Sequence, residues 1–112
     1  VTPASVVQRQ LEAYNRHDLK AFLDCYGEDA RIIRLPALEP WLTGKAQIEA
    51  FYASNRFNVP TLKAEILHRI TFGNKVVDHE RVHGLADNSV DVVVVYEVIQ
   101  DWIEQVWFHR PT

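Results

Sequence analysis

A single cysteine stands among the 112 residues, so no disulfide can form within the chain. Cys25 falls in a helical segment, where one isolated thiol reads as a small buried hydrophobe. The Cys and His residues show none of the spacings of a zinc site, and neither a metal nor a cofactor is expected. No run of Lys or Arg occurs and the net charge is -3, which argues against nucleic acid as the main partner. The longest apolar run, Val92–Tyr96, has the length of a strand and not of a membrane span. The opening VTPASVVQRQ lacks a basic region followed by an apolar core, so no signal peptide is expected and the cytoplasm is the default location. The absence of an initial Met fits a trimmed chain.

What is present suits one globular domain over residues 1–112, large enough for a real core with little surplus. Val7, Leu11 and Tyr14 recur at helical spacing after Pro3 and Ser5, which predicts a first helix capped by Ser5 and ending near Asn15. Asp18 is suited to cap a second helix carrying Leu19, Phe22, Leu23 and Tyr26, stopped by Gly27. ARIIRL reads as a short strand ended by Pro36, and ALEPWLT as a loop. Thr43 or Gly44 opens a third helix with Ile48, Phe51 and Tyr52 on one face. Four extended segments follow, 62–72, 75–86, 90–99 and 102–110, separated by turn residues GN, DNS and QD. The order α-α-β-α-β-β-β-β predicts an α+β domain, a curved antiparallel sheet with helices on one face.

The segment DHERVH, residues 78–83, places five titratable side chains inside a predicted strand. If Gly73-Asn74 forms a two-residue turn, Phe72 faces Lys75, Ile70 faces Val77, His68 faces His79 and Ile66 faces Arg81. The odd residues of that strand then share a face with Ala64, Ile66, His68, Ile70 and Phe72. That more apolar face is expected to meet the helices, bringing His79, Arg81 and His83 inward and leaving Arg69–Asp78 as an exposed cross-strand pair. Buried cations need a carboxylate or a ligand. A three-residue turn at 87–89 would set Arg81 against Val95 and His79 against Glu97. A two-residue turn would shift the pairing and turn Tyr96 inward, and both remain open. The plainer alternative is that His68, His79 and Arg81 stitch a solvated sheet rim.

The stretches VVQRQLEAYNRHDLKAFLDCYGEDARI and LTGKAQIEAFYASN resemble the front half of ketosteroid isomerases. The back half, HERVH…VYEVIQDWIEQVWF, resembles the wider nuclear transport factor 2-like superfamily, which includes SnoaL-like (polyketide cyclase-like) proteins and limonene epoxide hydrolases. The resemblance implies a cone-shaped sheet wrapped around a pocket closed by helices, and a homodimer through the outer sheet face, with Trp107 and neighbours such as Val94 at the interface. In the isomerase frame Gln10 stands at the position of the oxyanion Tyr and Arg34 at that of the base. The protonated Asp falls near Val95 or Glu97, and Tyr26 and Tyr52 match supporting tyrosines. The standard isomerase Tyr and Asp are therefore lacking, and an Arg, with a pKa above about 12, cannot act as base. In the epoxide hydrolase frame Arg81 matches the Arg, His83 replaces the first Asp, and Phe108 lies near the second.

These readings give a small-molecule pocket with His79, Arg81, His83 and Glu97 as candidate acid–base and anion-stabilising residues. Gln10, Tyr14, Tyr26, Arg34, Trp41, Tyr52, His68 and Phe108 are the candidate ligand contacts. The function expected is isomerase-like or cyclase-like acid–base chemistry on a small organic molecule. The alternative is a non-catalytic ligand-binding or dimerisation module of the same fold.

Overall fold

The computed structural model describes residues 1–110. The elements are α1 (Pro3–Asn15), α2 (Leu19–Leu23), β1 (Tyr26–Arg34), β2 (Leu42–Thr43), α3 (Lys45–Asn55), β3 (Lys63–Phe72), β4 (Lys75–His83), β5 (Val90–Ile99) and β6 (Trp102–His109). One open six-stranded sheet runs β2-β1-β6-β5-β4-β3. Its pairs are antiparallel except β1 with β6, which is parallel. The helices cover one face, and the sheet curves around them as a cone. Among the described residues no helix is long and apolar enough to cross a membrane.

Local signals act largely as expected, some of them displaced by up to three residues. The N-cap of α1 is Thr2, not Ser5. Ser5 is its reciprocal partner three residues on, and Pro3 occupies the first turn, where a missing N–H costs nothing. Asp18 caps α2 by accepting from the Ala21 N–H at 3.1 Å. That helix ends at Leu23, earlier than expected, because Tyr26 already pairs with Ile103 and the Cys25 carbonyl accepts from the Ile103 N–H. Leu42–Thr43, read as loop, forms a short edge strand on β1. Gly44 caps α3 at φ 86°, a conformation open to glycine at no steric cost.

The β3–β4 hairpin turns at Gly73-Asn74 with the anticipated pairs Phe72–Lys75, Ile70–Val77 and His68–His79. A bulge at Leu67 then shifts the register, so Arg81 pairs with Glu65 and not with Ile66. The extra residue splits the supposed apolar face of β3. Ala64 and Ile66 stand opposite Val82 and Glu80, whereas Ile70 and Phe72 are exposed on the outside. The inward face of β4 therefore consists of the even residues Val76, Asp78, Glu80 and Val82. The expectation that His79, Arg81 and His83 point at the helices is overturned. β5 follows the same parity: Val92, Val94, Tyr96 and Val98 are buried, and Asp91, Val93, Val95 and Glu97 lie on the other face. Val94 is thus a core residue and not an outer-face one, while Trp107 does sit on the outer face, opposite Val95.

Candidate functional site

A cavity of about 390 Å³ lies between the concave face of the sheet and the helices. This is a size that accepts a small organic molecule. Its wall is built from spaced positions on several elements. On α1, Gln10 and Tyr14 lie four residues apart and project from one face. α3 supplies Phe51 and Tyr52, with Arg56 just past its end. Alternate strand residues, Glu80 and Val82 on β4 and Val92 and Tyr96 on β5, complete the floor.

Glu80 is the acidic residue of this wall among the described residues. Its side chain is 7% exposed. The phenol of Tyr96 donates to Glu80 Oε2 at 3.0 Å, and Oε1 is left for the cavity. Burial pushes the Glu80 carboxyl up to about 7. The Tyr96 hydrogen bond opposes that rise, the neighbouring Asp78 charge adds to it, and the Arg69 guanidinium opposes it. A carboxyl that changes charge near neutral pH and opens on a cavity can both take and return a proton.

Asp78, two residues before Glu80 on the same face, is fully buried. Arg69 clamps it with two hydrogen bonds, Nε to Oδ1 at 2.6 Å and Nη2 to Oδ2 at 2.9 Å. Nη1 of Arg69 donates to Gln8 Oε1 on α1. The pair anticipated as an exposed cross-strand bridge therefore lies inside, tying β3, β4 and α1 together behind Glu80. Hydrogen bonding to Asp78 raises the Arg69 pKa further above its usual value.

Besides the guanidiniums of Arg34, Arg56 and Arg110, the remaining polar groups of the wall are neutral phenols and one amide. Tyr26 donates to Gln10 Oε1 at 2.8 Å, so Gln10 has its N–H₂ to offer the cavity. Burial raises the pKa of Tyr14, Tyr26, Tyr52 and Tyr96, keeping all four protonated and able to donate. Phe22 packs against the rings of Tyr14, Tyr26 and Tyr52 with centroids 4.8–6.0 Å apart, fixing their positions.

Of the residues singled out in the sequence, Gln10, Tyr14, Arg34, Trp41, Tyr52 and Phe108 line the cavity. Tyr26 stands behind Gln10. His68 lies on the outer face, its ring 6.2 Å from that of His79. The four residues given acid–base roles are also on the outer face. His79 and Arg81 share Asp91, at 3.0 and 2.8 Å. His83 meets Glu65, and Glu97 meets Lys75. The hydrogen bonds from Arg81 and then His79 lower the Asp91 carboxyl to about 2. Neither expected turn at 87–89 forms. Residues 84–89 make a longer loop and set Arg81 against Asp91 and His79 against Val93. Glu80 was missed, and β5 carried the signal: its odd face holds Asp91 and Glu97, its even face no charge at all. The uncharged face belongs inside, and pairing carries that parity to Glu80.

Among the described residues no group of three or more His, Cys, Asp or Glu is placed to hold a metal ion. The buried Cys25 thiol has its pKa raised by burial and touches the Ala21 carbonyl, well outside the cavity wall.

A helix-covered conical sheet around an apolar cavity with a few convergent polar groups defines a class of small-molecule pocket proteins. The sequence matches the family model of the SnoaL-like domain over residues 7–106, and the chain belongs to that family. Solved structures agree in fold. A candidate ketosteroid isomerase from Kribbella flavida shares 18% identity, covering 98% of this chain and 78% of its own at a TM-score of 0.83. An uncharacterised cystatin-fold protein from Novosphingobium aromaticivorans shares 23% identity, covering 98% and 99% at a TM-score of 0.87. A computationally designed 17-OHP binder shares 13%, covering 100% and 94% at 0.86. No curated protein matches the sequence.

Proposed function

We propose that this SnoaL-like protein is an acid–base enzyme that moves a proton at a carbon next to a carbonyl group. Glu80 is the base. Its carboxylate removes the α-proton, the C–H pair becomes the double bond of an enolate, and the charge passes to the carbonyl oxygen. Tyr14 and the Gln10 amide, both on the cavity wall, are the neutral donors available to that oxygen. Protonated Glu80 then returns the proton to a different carbon, which is an isomerisation; where the enolate instead attacks a second carbonyl, Glu80 gives the proton to the alkoxide oxygen that forms, which is a ring closure. The observation that supports this most is a carboxyl with a pKa of about 7 at the floor of the cavity. The isomerase named among the structural relatives fits the same chemistry.

The test is deuterium wash-in. Cyclic ketones incubated with the protein in D₂O are read by proton NMR. Exchange above buffer with the wild type, lost in Glu80→Gln, is expected. Equal exchange in the two proteins would remove Glu80 from the mechanism. A binding module is the second reading, favoured by the likeness in fold to a protein designed as a binder. Under that reading Glu80→Gln keeps affinity and neither protein exchanges protons.

The outer sheet face carries Val77, Val93, Val95 and Trp107 between the charged pairs described above. We infer a homodimer through this face, since the helices cover only the other. Sedimentation at micromolar concentration should give twice the chain mass, and a monomer would contradict it.

A further inference from the structure

Three guanidinium groups stand on the cavity wall, Arg34, Arg56 and Arg110, opposite in sign to the protein's net charge of -3. Two of them are held in place by aromatic rings. The Arg34 guanidinium carbon lies 3.8 Å from the centre of the Trp41 ring. Trp41 meets Phe51 edge to face at 4.5 Å, and Arg56 lies 5.0 Å over Phe51. Arg34, Trp41, Phe51 and Arg56 thus form one continuous ladder, built from β1, the loop after it and α3. Arg34 is exposed and Arg56 half-buried, whereas Glu80 is buried, so the cations sit at the mouth and the acid on the floor.

Neither Arg34 nor Arg56 has a carboxylate partner among the described residues. Arg69 and Arg81, away from the cavity mouth, are each matched by an aspartate. Arg56 Nη1 donates to the Asn55 carbonyl at 2.8 Å, and with their faces on aromatic rings the two guanidiniums keep further N–H groups at their edges for an anion. Such edges match a planar two-oxygen anion. The lining also holds apolar side chains, among them Leu11, Val82, Val92 and Phe108.

From this we propose that the cavity takes an organic carboxylate, its charged end drawn to the part of the wall where Arg34 and Arg56 stand and its apolar body directed toward Glu80. As a statement about substrate this rests on the acid–base reading above. It names the substrate class as keto acids whose carbonyl lies at the far end from the carboxylate. The arrangement has a physical logic: the substrate's own negative charge is fixed away from Glu80, so it does not oppose formation of the Glu80 carboxylate.

The probes are 4-oxocyclohexanecarboxylate, its uncharged carboxamide and cyclohexyl phosphate, measured by calorimetry at pH 8 in low salt. The carboxylate should bind about tenfold or more tighter than the carboxamide, the scale of a charge-assisted hydrogen bond. That preference should disappear in the doubly substituted Arg34→Gln/Arg56→Gln protein, whose fold is checked by circular dichroism, and should weaken with salt. It should survive in Glu80→Gln. Equal binding of carboxylate and carboxamide, a preference unchanged in the double variant, or no binding of the carboxylate at millimolar concentration would each overturn the proposal. Tighter binding of the phosphate would overturn the carboxylate assignment. The acid–base reading fails separately: carboxylate preference would remain, while wild type and Glu80→Gln exchange the probe's α-protons equally.

Discussion

Replacing Glu80 by glutamine should make the protein more stable at pH 8, even though it removes the proposed catalytic group. The native carboxyl titrates at about 7, against a usual 4.5. Native Glu80 therefore keeps a proton that the unfolded chain has already released, and stability falls as pH rises from about 4.5 to about 7. Above that it is level. The interval corresponds to about 3 kcal/mol lost at pH 8 relative to an unperturbed glutamate. Glutamine cannot ionise, and its Oε1 can still accept from Tyr96, so most of that loss should be recovered, about 2–3 kcal/mol. With a urea dependence of about 1–2 kcal/mol/M, the midpoint at pH 8 should rise by about 1–3 M. The five histidines are common to both proteins, so the difference between wild type and variant, measured at pH 5 and pH 8, isolates Glu80. A difference that does not change between the two pH values would refute the reasoning, because burial would then not be acting on the charge of Glu80.

Other outcomes follow from the same geometry. Asp78→Ala leaves Arg69 without its partner and should cost about 3 kcal/mol in a urea titration, the low end for a broken buried pair because Arg69 can turn partly to water. It should also bring the Glu80 pKa down, since the charge that raises it is gone while Arg69 remains. Tyr96→Phe removes the hydrogen bond that opposes the rise, so Glu80 should titrate above about 7, read from carboxyl carbon NMR. Gly84→Ala should destabilise by about 1–3 kcal/mol in thermal unfolding, because Gly84 has φ 91° and an added Cβ would meet the Thr61 carbonyl. Arg81→Ala should leave the affinity for a cavity ligand unchanged in calorimetry, since Arg81 and Asp91 pair on the outer face.

Much of the wall of the site was legible because it depends on short-range spacing. Gln10 and Tyr14 share a face through helical periodicity, and Tyr52 follows from the stripe of α3. Arg34 and Trp41 came from the family frame and from the loop position. The acid on the floor was not legible, because its orientation depends on a parity. The hairpin turn was read correctly, yet the parity of a strand cannot be carried through a bulge that its sequence does not announce. Leu67 sits in KAEILHRITF with nothing to distinguish it from its neighbours. One extra residue there turned Ile70 and Phe72 outward, and the inference drawn from them turned His79 and Arg81 inward by mistake.

By itself the sequence determined the order of the three helices and the five longer strands, the Asp18 cap, the Gly73-Asn74 turn and the family frame. Each of these rests on interactions within a few residues or on a pattern repeated along the chain. Tertiary structure alone decided which side of β4 meets the helices. That choice is cooperative: the even face of β5 carries no charge, Asp78 finds Arg69 behind it, and Glu80 finds the Tyr96 phenol. A carboxylate can be placed inside only when such partners arrive from other strands, and no local pattern encodes their arrival.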